Sequence, residues 1–408
     1  MRRRVAVTGM GGTTALGEDW PTIRARMVKG ETGVRRMPEW DRFHGISTRL
    51  AAPVDGFDVE ERYERKKLRT MGRVSQMAVY ATERALIDAG LLGDPALTQG
   101  RVGIAYGSSF GSAPPVLAFA EFMAEGASRK LNATSYVQMM SHTAAVNIGL
   151  FFELTGRIVP TSSACTSGSQ GIGFGYEMIR YGLQDVMITG GAEELSASDA
   201  AVFDTLYATS VRNDAPQTTP RPFDRDRDGL VIGEGAATLV LEDMERAKAR
   251  GATIHAEIVG YGTNSDGCHI TQPRAATMAQ TLRLALEDSG LPPQAIGLVN
   301  GHGTATDTGD IAESVATAEV LGNRMPIHSL KSYFGHSLGA CASIEAWLGI
   351  EMMKSDWFAP SANLVNVDEK CAELDYVMRE GRRLPTEFIM SNNFAFGGIN
   401  TSLVFKRY

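Results

Sequence analysis

Cys165 is the residue of this sequence whose type and surroundings best suit covalent catalysis. It lies in a run of small residues, SSACTSG, between strand-like RIVPT and a segment in which Ile172 and Ile179 recur at helical spacing. The dipole and free backbone N–H groups at a helix start favour the thiolate, the nucleophilic form of cysteine. The segment therefore predicts a nucleophile, although on its own it is also typical of a small buried cysteine at a strand–helix corner.

Two histidines lie in separate glycine-containing turns. His302 follows the apolar run IGLV in NGHGTATDTGD, and His336 follows KSYFG ahead of an apolar helix-like stretch. A histidine at the end of a strand in an α/β protein can exchange protons or donate to a developing oxyanion. A helix start beside His336 predicts a neutral imidazole there. Ordinary loop histidines remain the alternative.

Lys331 and two phenylalanines complete the candidate residues. Lys331 precedes His336 by five positions and can share its pocket with Glu345 as a partner, although most lysines lie on the surface. In SNNFAFGGIN, Phe394 and Phe396 precede two glycines. This arrangement is typical of a mobile aromatic gate or of a plain hydrophobic turn.

The surrounding pattern places these residues in an α/β protein. Short apolar runs precede glycine-rich turns and longer amphipathic stretches, as in RVAVTGMGG, RVGIAYGSS and DVMITGGAEE. The pattern restarts at IHAEIVGYG. We therefore expect two similar halves, residues 1–250 and 251–408, which pack as one body because no flexible Pro/Ser-rich linker separates them.

Composition excludes several classes of protein. Forty basic and 47 acidic residues give a net charge of -7, which argues against a nucleic-acid partner. The four cysteines form no CxxC pair or His/Cys cluster at ligand spacing, so we expect neither a metal site nor a disulfide framework. No apolar run is long enough to span a membrane, and the N-terminus lacks the pattern of a signal peptide. We expect a cytoplasmic protein that does not associate with membranes.

Taken in order, the motifs resemble those of the elongating β-ketoacyl-acyl carrier protein synthases over the whole chain. The resemblance is carried by VAVTGMG, SACTSG, RPFDRDRDGLVIGEGA, HGTATDTGD, KSYFGH and NNFAFGGIN. It implies a thiolase-like α/β fold with two pseudo-symmetric halves, each with a five-stranded mixed sheet, layered α-β-α-β-α. It also implies an acyl carrier protein as partner, and a homodimer or a heterodimer with a related subunit.

The resemblance also implies a role for each candidate residue. Cys165 would carry the acyl chain, while His302 and His336 would promote decarboxylation of the malonyl extender. Lys331 and Glu345 match the charged pair beneath that site, and the backbone N–H of Phe396 would join that of Cys165 in the oxyanion hole. The residues implied to contact the substrate or its phosphopantetheine arm are Thr304, Thr306, Phe110, Phe203 and Phe394. That arm arrives on the carrier protein, so neither a bound cofactor nor a metal is expected.

Five positions depart from the common family pattern. Ala305 and Asp307 replace residues of the usual HGTSTP, and Phe334 stands where a threonine is frequent. Ala395 replaces a glycine in the gate, which limits the torsions available to that loop. Phe110 stands where smaller or aliphatic residues are common near the acyl pocket, so we expect it to shorten or reshape the acyl channel.

The predicted reaction is a decarboxylative Claisen condensation of malonyl-acyl carrier protein with a Cys165-bound acyl chain, giving a β-ketoacyl-acyl carrier protein. Fatty acid elongation and a dedicated polyene or polyketide pathway both fit, and the departures favour the second. A non-catalytic partner subunit that determines chain length is an alternative, but such subunits usually lack the cysteine. A thiolase is a weaker alternative, because no second cysteine lies in the expected motif.

A basic segment offers a docking site for the acidic carrier protein. In RYERKKLRTMGR, Arg65, Lys66 and Arg69 can share one face of a helix. Such a cluster can steer an acidic partner even though the protein is acidic overall. A solvated charged helix is the alternative.

Overall fold

The strand-like segments of both halves join one mixed sheet in the computed structural model, which describes residues 2–408. The strands within that range are β1 Val5–Thr14, β2 Arg35–Arg36, β3 Leu50–Ala52, β4 Val102–Gly107, β5 Ile158–Thr161, β6 Val186–Glu193, β7 Ile232–Gly233, β8 Gly235–Asp243, β9 Ala256–Ser265, β10 Ile296–Asn300, β11 Pro326–His328, β12 Trp357–Phe358, β13 Asp375–Tyr376, β14 Arg382–Arg383, β15 Phe388–Ala395 and β16 Ile399–Arg407. The helices are α1 Trp20–Val28, α2 Arg65–Leu68, α3 Arg73–Asp88, α4 Ala113–Glu125, α5 Ser135–Met139, α6 Thr143–Phe151, α7 Ser167–Arg180, α8 Ala197–Asp204, α9 Met244–Ala249, α10 Ala275–Ser289, α11 Asp307–Leu321, α12 Lys331–Phe334 and α13 Cys341–Lys354.

The same strand order occurs twice in this sheet. The first half contributes β5-β4-β6-β8-β1 and the second contributes β11-β10-β15-β16-β9. In both halves the first three strands of that order run parallel, and the last two pair antiparallel with their neighbours. This repeated topology confirms the prediction of two pseudo-symmetric halves with five-stranded mixed sheets.

Two features of the sheet were not predicted. Residues 5–7 of β1 pair antiparallel with residues 256–258 of β9, so hydrogen bonds join the two five-stranded sheets. The two-residue strand β13 also pairs with β11 and extends the sheet of the second half. Both pairings connect segments far apart in the chain, which the local sequence pattern does not report.

Helices α7 and α13 lie between the two sheets. Each contacts strands of both halves: α7 meets β6 and β16, and α13 meets β8 and β15. The apolar side chains form a central core around these two helices and an outer core on each side, where α3 and α6 cover the first sheet and α10 and α11 cover the second. The predicted α-β-α-β-α layering is therefore confirmed.

Burial on both faces explains why the inner strands are almost entirely apolar. Every residue of β4 is buried, and the adjacent Ile104 and Ala105 pack into the outer and the central core, respectively. Successive side chains of a strand point to opposite faces, so a strand covered on both sides needs apolar residues throughout.

No helix within residues 2–408 is both long and apolar enough to cross a membrane. The division of the chain at residue 250, at the end of α9, stays a prediction.

An ion pair between the half-buried Arg73 and the buried Glu234 holds α3 against the start of β8. The Arg73 guanidinium donates to both Glu234 carboxylate oxygens, at 2.8 Å from Oε1 and 3.0 Å from Oε2. The same carboxylate accepts the backbone N–H groups of Val54 and Leu195. Four donors from three separate segments thus converge on one side chain.

We expect Glu234→Ala to lower the free energy of unfolding by about 2–4 kcal/mol, because it leaves Arg73 and two backbone N–H groups without their acceptor. The matched control is Glu319→Ala, which removes an exposed pair with Arg283 at 2.7 Å and should cost about 0–1 kcal/mol. Urea unfolding followed by circular dichroism measures both. Equal losses in the two variants would contradict the role given to Glu234.

Candidate active site

Cys165 lies in a tight turn between β5 and α7. The single-turn 3₁₀ helix Ala164–Thr166 contains it, and α7 begins at the next residue but one. Ala164 has a φ of 50°, in the left-handed region that costs a residue with a Cβ free energy. The Ser167 hydroxyl stabilises the turn by accepting the Ser163 N–H at 3.0 Å and donating to the Ala164 carbonyl at 2.7 Å. The structure confirms that Cys165 lies at the start of a helix.

The protonation state of Cys165 differs from the expectation. The residue is only 3% exposed, and this burial raises the pKa of its thiol to about 11. The positive charge of Lys331 and the backbone N–H groups of Phe396 and Cys165 itself act in the opposite direction without outweighing burial. The helix start was expected to favour the thiolate, but its effect is outweighed, because removal from water costs the thiolate more free energy than these groups return.

His336 points its Nε2 atom at the sulfur. Nε2 lies 3.0 Å from Cys165 Sγ, while Nδ1 accepts the backbone N–H of Leu338 at 3.2 Å. Because Nδ1 is an acceptor, the neutral ring carries its proton on Nε2. His336 therefore presents an N–H donor to whatever occupies the space beside the sulfur.

His302 faces the same space from the second half of the chain. Its ring centroid lies 5.3 Å from that of His336, with the ring planes at 87°. Ligand-type atoms of Cys165, His302 and His336 all lie within 4.8 Å of one another. The structure thus brings together the three residues that the sequence singled out first.

Two residues that the sequence analysis did not single out fix His302. Glu313, on α11, accepts the backbone N–H groups of His302 and Gly303 at 2.6 and 2.7 Å. Asn393 places its Nδ2 3.4 Å from His302 Nδ1 and donates to Glu345 Oε2 at 2.7 Å, which fixes the orientation of the amide. His302 Nδ1 therefore faces a donor, and its proton lies on Nε2 as in His336.

Both histidines are neutral, as predicted for His336. Burial lowers the pKa of each imidazole well below its usual value, and the charge of Lys331 lowers it further. For His302, the neighbouring His336 acts in the same direction. Neutral imidazoles suit hydrogen-bond donation to a developing oxyanion.

Lys331 and Glu345 form a buried ion pair beneath these rings, with 2.5 Å between Nζ and Oε1. Burial disfavours the ammonium, but the facing Glu345 carboxylate more than compensates and raises the pKa of Lys331. Lys331 therefore keeps its charge inside the protein. It is not a surface lysine, and Glu345 is its partner, as the sequence suggested.

A cavity of about 290 Å³ opens onto Cys165 and the two histidines. Thr304 and Thr306 line it with their hydroxyl oxygens 2.9 Å apart. Phe203, Phe394, Phe396, Ala395 and Ile270 also line it. The structure therefore brings four of the five predicted substrate-contacting residues, Thr304, Thr306, Phe203 and Phe394, to one cavity, whereas the fifth, Phe110, does not line it.

The glycine turn after β15 forms part of the cavity wall. Phe396 packs against Phe203, with ring centroids 5.0 Å apart, and Gly397 donates its N–H to the Ile270 carbonyl at 2.9 Å. Gly397 and Gly398 have φ values of 84° and 72°, whereas Ala395 pairs with Ile399 as part of the strand. The conformation here thus needs glycine at 397 and 398 but not at 395.

The structure shows where the three departures Asp307, Ala305 and Phe334 lie. Asp307 is the first residue of α11, where its carboxylate suits the helix dipole and lies 3.3 Å from the Arg227 guanidinium. Ala305 has a φ of 64°, and its N–H donates to Asp310 Oδ1 at 3.1 Å. Phe334 is buried in the central core.

Phe110 and the basic segment lie outside this cavity. Phe110 is not among the described residues that line it, and its backbone N–H lies 3.3 Å from Glu193 Oε1. An effect of Phe110 on the acyl channel therefore stays a prediction. Arg65 and Lys66 belong to the one-turn helix α2 and Arg69 follows it; all three are exposed, and none forms an ion pair with another described residue.

A thiol and two imidazoles at this separation can also bind a soft metal ion. Such an ion would bind the Cys165 sulfur and block its use as a nucleophile. The sequence-based expectation that no metal is bound stays a prediction. The neighbouring Cys341 donates its thiol to the Cys165 carbonyl, with 3.3 Å from Sγ to oxygen.

Comparisons with known proteins identify relatives of one family, and the relatives named here align with the whole chain. Models of the N-terminal and C-terminal domains of β-ketoacyl synthases match residues 2–247 and 255–365. A 3-oxoacyl-[acyl-carrier-protein] synthase 2 of Vibrio cholerae is 37% identical over 414 residues, covering 100% of this chain and 99% of the relative. A 3-oxoacyl-[acyl-carrier-protein] synthase 1 of Haemophilus influenzae is 34% identical over 409 residues, with the same coverage.

Solved structures give the same result. A β-ketoacyl synthase from Burkholderia phymatum superposes with a TM-score of 0.98 at 61% identity, covering 100% of both chains. A type II PKS ketosynthase, solved with its acyl-carrier protein and bound to the hexaketide, superposes with a TM-score of 0.87 at 29% identity and full coverage of both chains.

The buried thiol predicts how Cys165 responds to pH. Alkylation by iodoacetamide should accelerate about tenfold per pH unit from about pH 7 to 9, because the thiolate fraction rises with pH until the pKa of about 11 is reached. Peptide mapping by mass spectrometry separates Cys165 from the exposed Cys268, which serves as an internal control. A rate that levels off below about pH 8 would instead indicate a preformed thiolate.

Proposed function

The chain belongs to the β-ketoacyl synthase family, and we propose that it joins a Cys165-bound acyl chain to a malonyl unit by decarboxylative Claisen condensation. It is an acyltransferase that acts in the elongation of fatty acid or polyketide chains. The observation that carries the residue assignment is the convergence of Cys165, His302 and His336 within 4.8 Å in a cavity that opens to solvent.

In the first half-reaction, the acyl group moves from the carrier thioester to Cys165. The sulfur attacks the carbonyl carbon, the carrier's thiol leaves, and the proton of Cys165 goes to that leaving sulfur. The backbone N–H groups of Cys165 and Phe396, which face the sulfur, hydrogen-bond the oxyanion. Each such donor contributes about 3 kcal/mol to transition-state stabilisation.

In the second half-reaction, the malonyl thioester loses carbon dioxide and leaves an enolate. The Nε2–H groups of His302 and His336 donate to the thioester oxygen on which that charge develops. The enolate carbon then attacks the acyl carbonyl on Cys165. A β-ketoacyl chain forms on the carrier protein, and the released Cys165 thiolate takes up one proton.

An acyl carrier protein delivers both substrates through its phosphopantetheine arm. Thr304 and Thr306, at the wall of the cavity, are placed to hydrogen-bond that arm. The exposed cations Arg65, Lys66 and Arg69 supply an attractive surface for an acidic carrier. The chain works in the cytoplasm as a homodimer or as a heterodimer with a related subunit, and it needs no resident cofactor or metal.

The presence of Cys165 and both histidines argues against a non-catalytic subunit that sets chain length. Among the pathways, a dedicated polyene or polyketide pathway is supported by the departures from the common motifs, and fatty acid elongation is the second candidate. The test of the core proposal is mass spectrometry after exposure to an acyl-carrier thioester. Acyl mass on Cys165 supports the assignment, and acyl mass on Cys268, Cys341 or Cys371 would overturn it.

His302→Ala and His336→Ala should each reduce the release of carbon dioxide from malonyl-acyl carrier protein by about 100-fold, because each removes one donor to the enolate oxygen. Acylation of Cys165 should remain measurable in both variants, and His336→Ala should slow it more because Nε2 contacts the sulfur. Isotope-labelled carbon dioxide and intact-protein mass report the two steps. His44→Ala, at an exposed position, is the control. Decarboxylation at the unmodified rate in either active-site variant would refute the role.

Reversing Arg65, Lys66 and Arg69 to Glu should raise the KM for carrier-bound substrate and weaken its dependence on salt, because fewer charges steer the carrier. A short pantetheine thioester without the carrier should react at the original rate. Lys248→Glu, elsewhere on the surface, is the control. Unchanged kinetics with the carrier would place its docking site on another surface.

A further inference from the structure

Asp199 is a buried acid that the proposed chemistry does not use. It lies on α8, is only 6% exposed, and its Oδ2 atom has no hydrogen-bond partner among the described residues. Burial, together with the charges of Glu193 and Glu194, raises the pKa of its carboxyl to about 8. The group therefore carries a proton near neutral pH and can donate a hydrogen bond from within the protein.

Helix capping explains only part of this side chain. Ser196 is the N-cap of α8 and accepts the Ser198 N–H at 3.0 Å, and the Ser196 backbone N–H interacts with the Asp199 carboxyl. The Ser196 hydroxyl and the Asp199 carboxyl thus both cap the start of α8, and the cap engages one carboxyl oxygen. The other oxygen, Oδ2, stays buried without a partner, which costs free energy in the unliganded protein.

The position of Asp199 relates it to the nucleophile. Phe203 follows one helical turn later on the same buried face of α8, lines the cavity, and has its ring centroid 6.5 Å from that of His336. Glu193, whose charge acts on Asp199, also acts on Cys165 and accepts the N–H of Gly339 at 3.0 Å. Asp199 thus lies one helical turn from a residue of the cavity wall, and the same Glu193 acts on both Asp199 and Cys165.

A second unpartnered polar atom lies close to the nucleophile. Ser163, two residues before Cys165, has a buried Oγ without a hydrogen-bond partner among the residues that the structure describes. A wholly hydrocarbon chain would leave both this hydroxyl and Asp199 Oδ2 unpaired. A chain that carries oxygen at the right depth would satisfy at least one of them.

We infer that Asp199 determines specificity by donating a hydrogen bond to an oxygen substituent, a hydroxyl or a carbonyl, on the acyl chain held by Cys165. This inference rests on the proposed function and specifies its substrate class. The chain would reach Asp199 by displacing the ring of Phe203, which packs against Phe396 of the glycine-containing turn. A site built to hydrogen-bond an oxygen discriminates against chains that lack it, because the buried donor then stays unpaired.

The test compares kcat/KM for two series of acyl-carrier thioesters, one saturated and one ω-hydroxylated, at matched chain lengths. The wild-type protein should prefer the hydroxylated chain by about tenfold at the length that places the oxygen at Asp199, and this preference should vanish in Asp199→Leu and Asp199→Ala. Asp199→Asn keeps a donor and should retain most of it. Ser198→Ala, at an exposed neighbouring position, is the matched control.

The outcomes separate this inference from the proposed function. If the wild-type protein condenses both series equally at every length, or if Asp199→Leu keeps the preference, the inference is wrong while the condensing activity stands. An unchanged preference with a changed oligomeric state in Asp199→Leu would assign the residue to a subunit interface and would also overturn it. If the wild-type protein condenses no chain, the proposed function fails, and the inference fails with it.

Discussion

The buried ion pair between Lys331 and Glu345 determines the electrostatics of the site. An ammonium can stay charged inside the protein only beside a carboxylate, and this one has Glu345 at 2.5 Å. Its charge helps to keep both histidines neutral and partly offsets the cost of a thiolate at Cys165. The second oxygen of Glu345 accepts the Asn393 amide, which faces His302. Removing either partner would therefore disturb Cys165 and both histidines together.

The repeated topology explains why the site forms between the two halves. Strands β5 and β11 occupy equivalent places in the two sheets, and each is followed along the chain by one of the central helices, α7 or α13. Immediately before each of these helices lies a short 3₁₀ turn whose first residue has positive φ, Ala164 at 50° and Leu338 at 44°. One turn carries Cys165 and the other follows His336. Because α7 and α13 pack together between the sheets, the two turns meet, and residues from distant parts of the chain share one cavity.

The sequence predicted those features of the site that depend on neighbouring residues in the chain. Small residues around Cys165 and glycines around His302 indicated tight turns at the ends of strands, and the order of the motifs indicated the family. Glu313 and Asn393 were missed because each acts through a contact across the fold, although both lie in or beside motifs that the resemblance uses. The acid that follows HGTATDTGD, at helical spacing from Asp310, was the available signal for Glu313. The raised pKa of Cys165 was not predicted, because burial is a property of tertiary packing, and here it outweighs the helix start.

The raised pKa of the Cys165 thiol is compatible with the proposed reaction, because the site also stabilises the oxyanion formed when the sulfur attacks a thioester. Forming the thiolate at about pH 7 from a thiol with a pKa of about 11 costs about 5 kcal/mol. In the proposed reaction, the two backbone N–H groups at the sulfur would also stabilise the oxyanion that follows attack, and removal of one such donor typically costs about 3 kcal/mol. The same N–H groups that favour the thiolate thus stabilise the transition state. Between turnovers the neutral thiol is a weak target for oxidants and stray electrophiles, because only the thiolate reacts readily. Burial therefore lowers the reactivity of the free Cys165 thiol toward other electrophiles. In the proposed reaction, the backbone N–H groups stabilise the transition state once a thioester is bound.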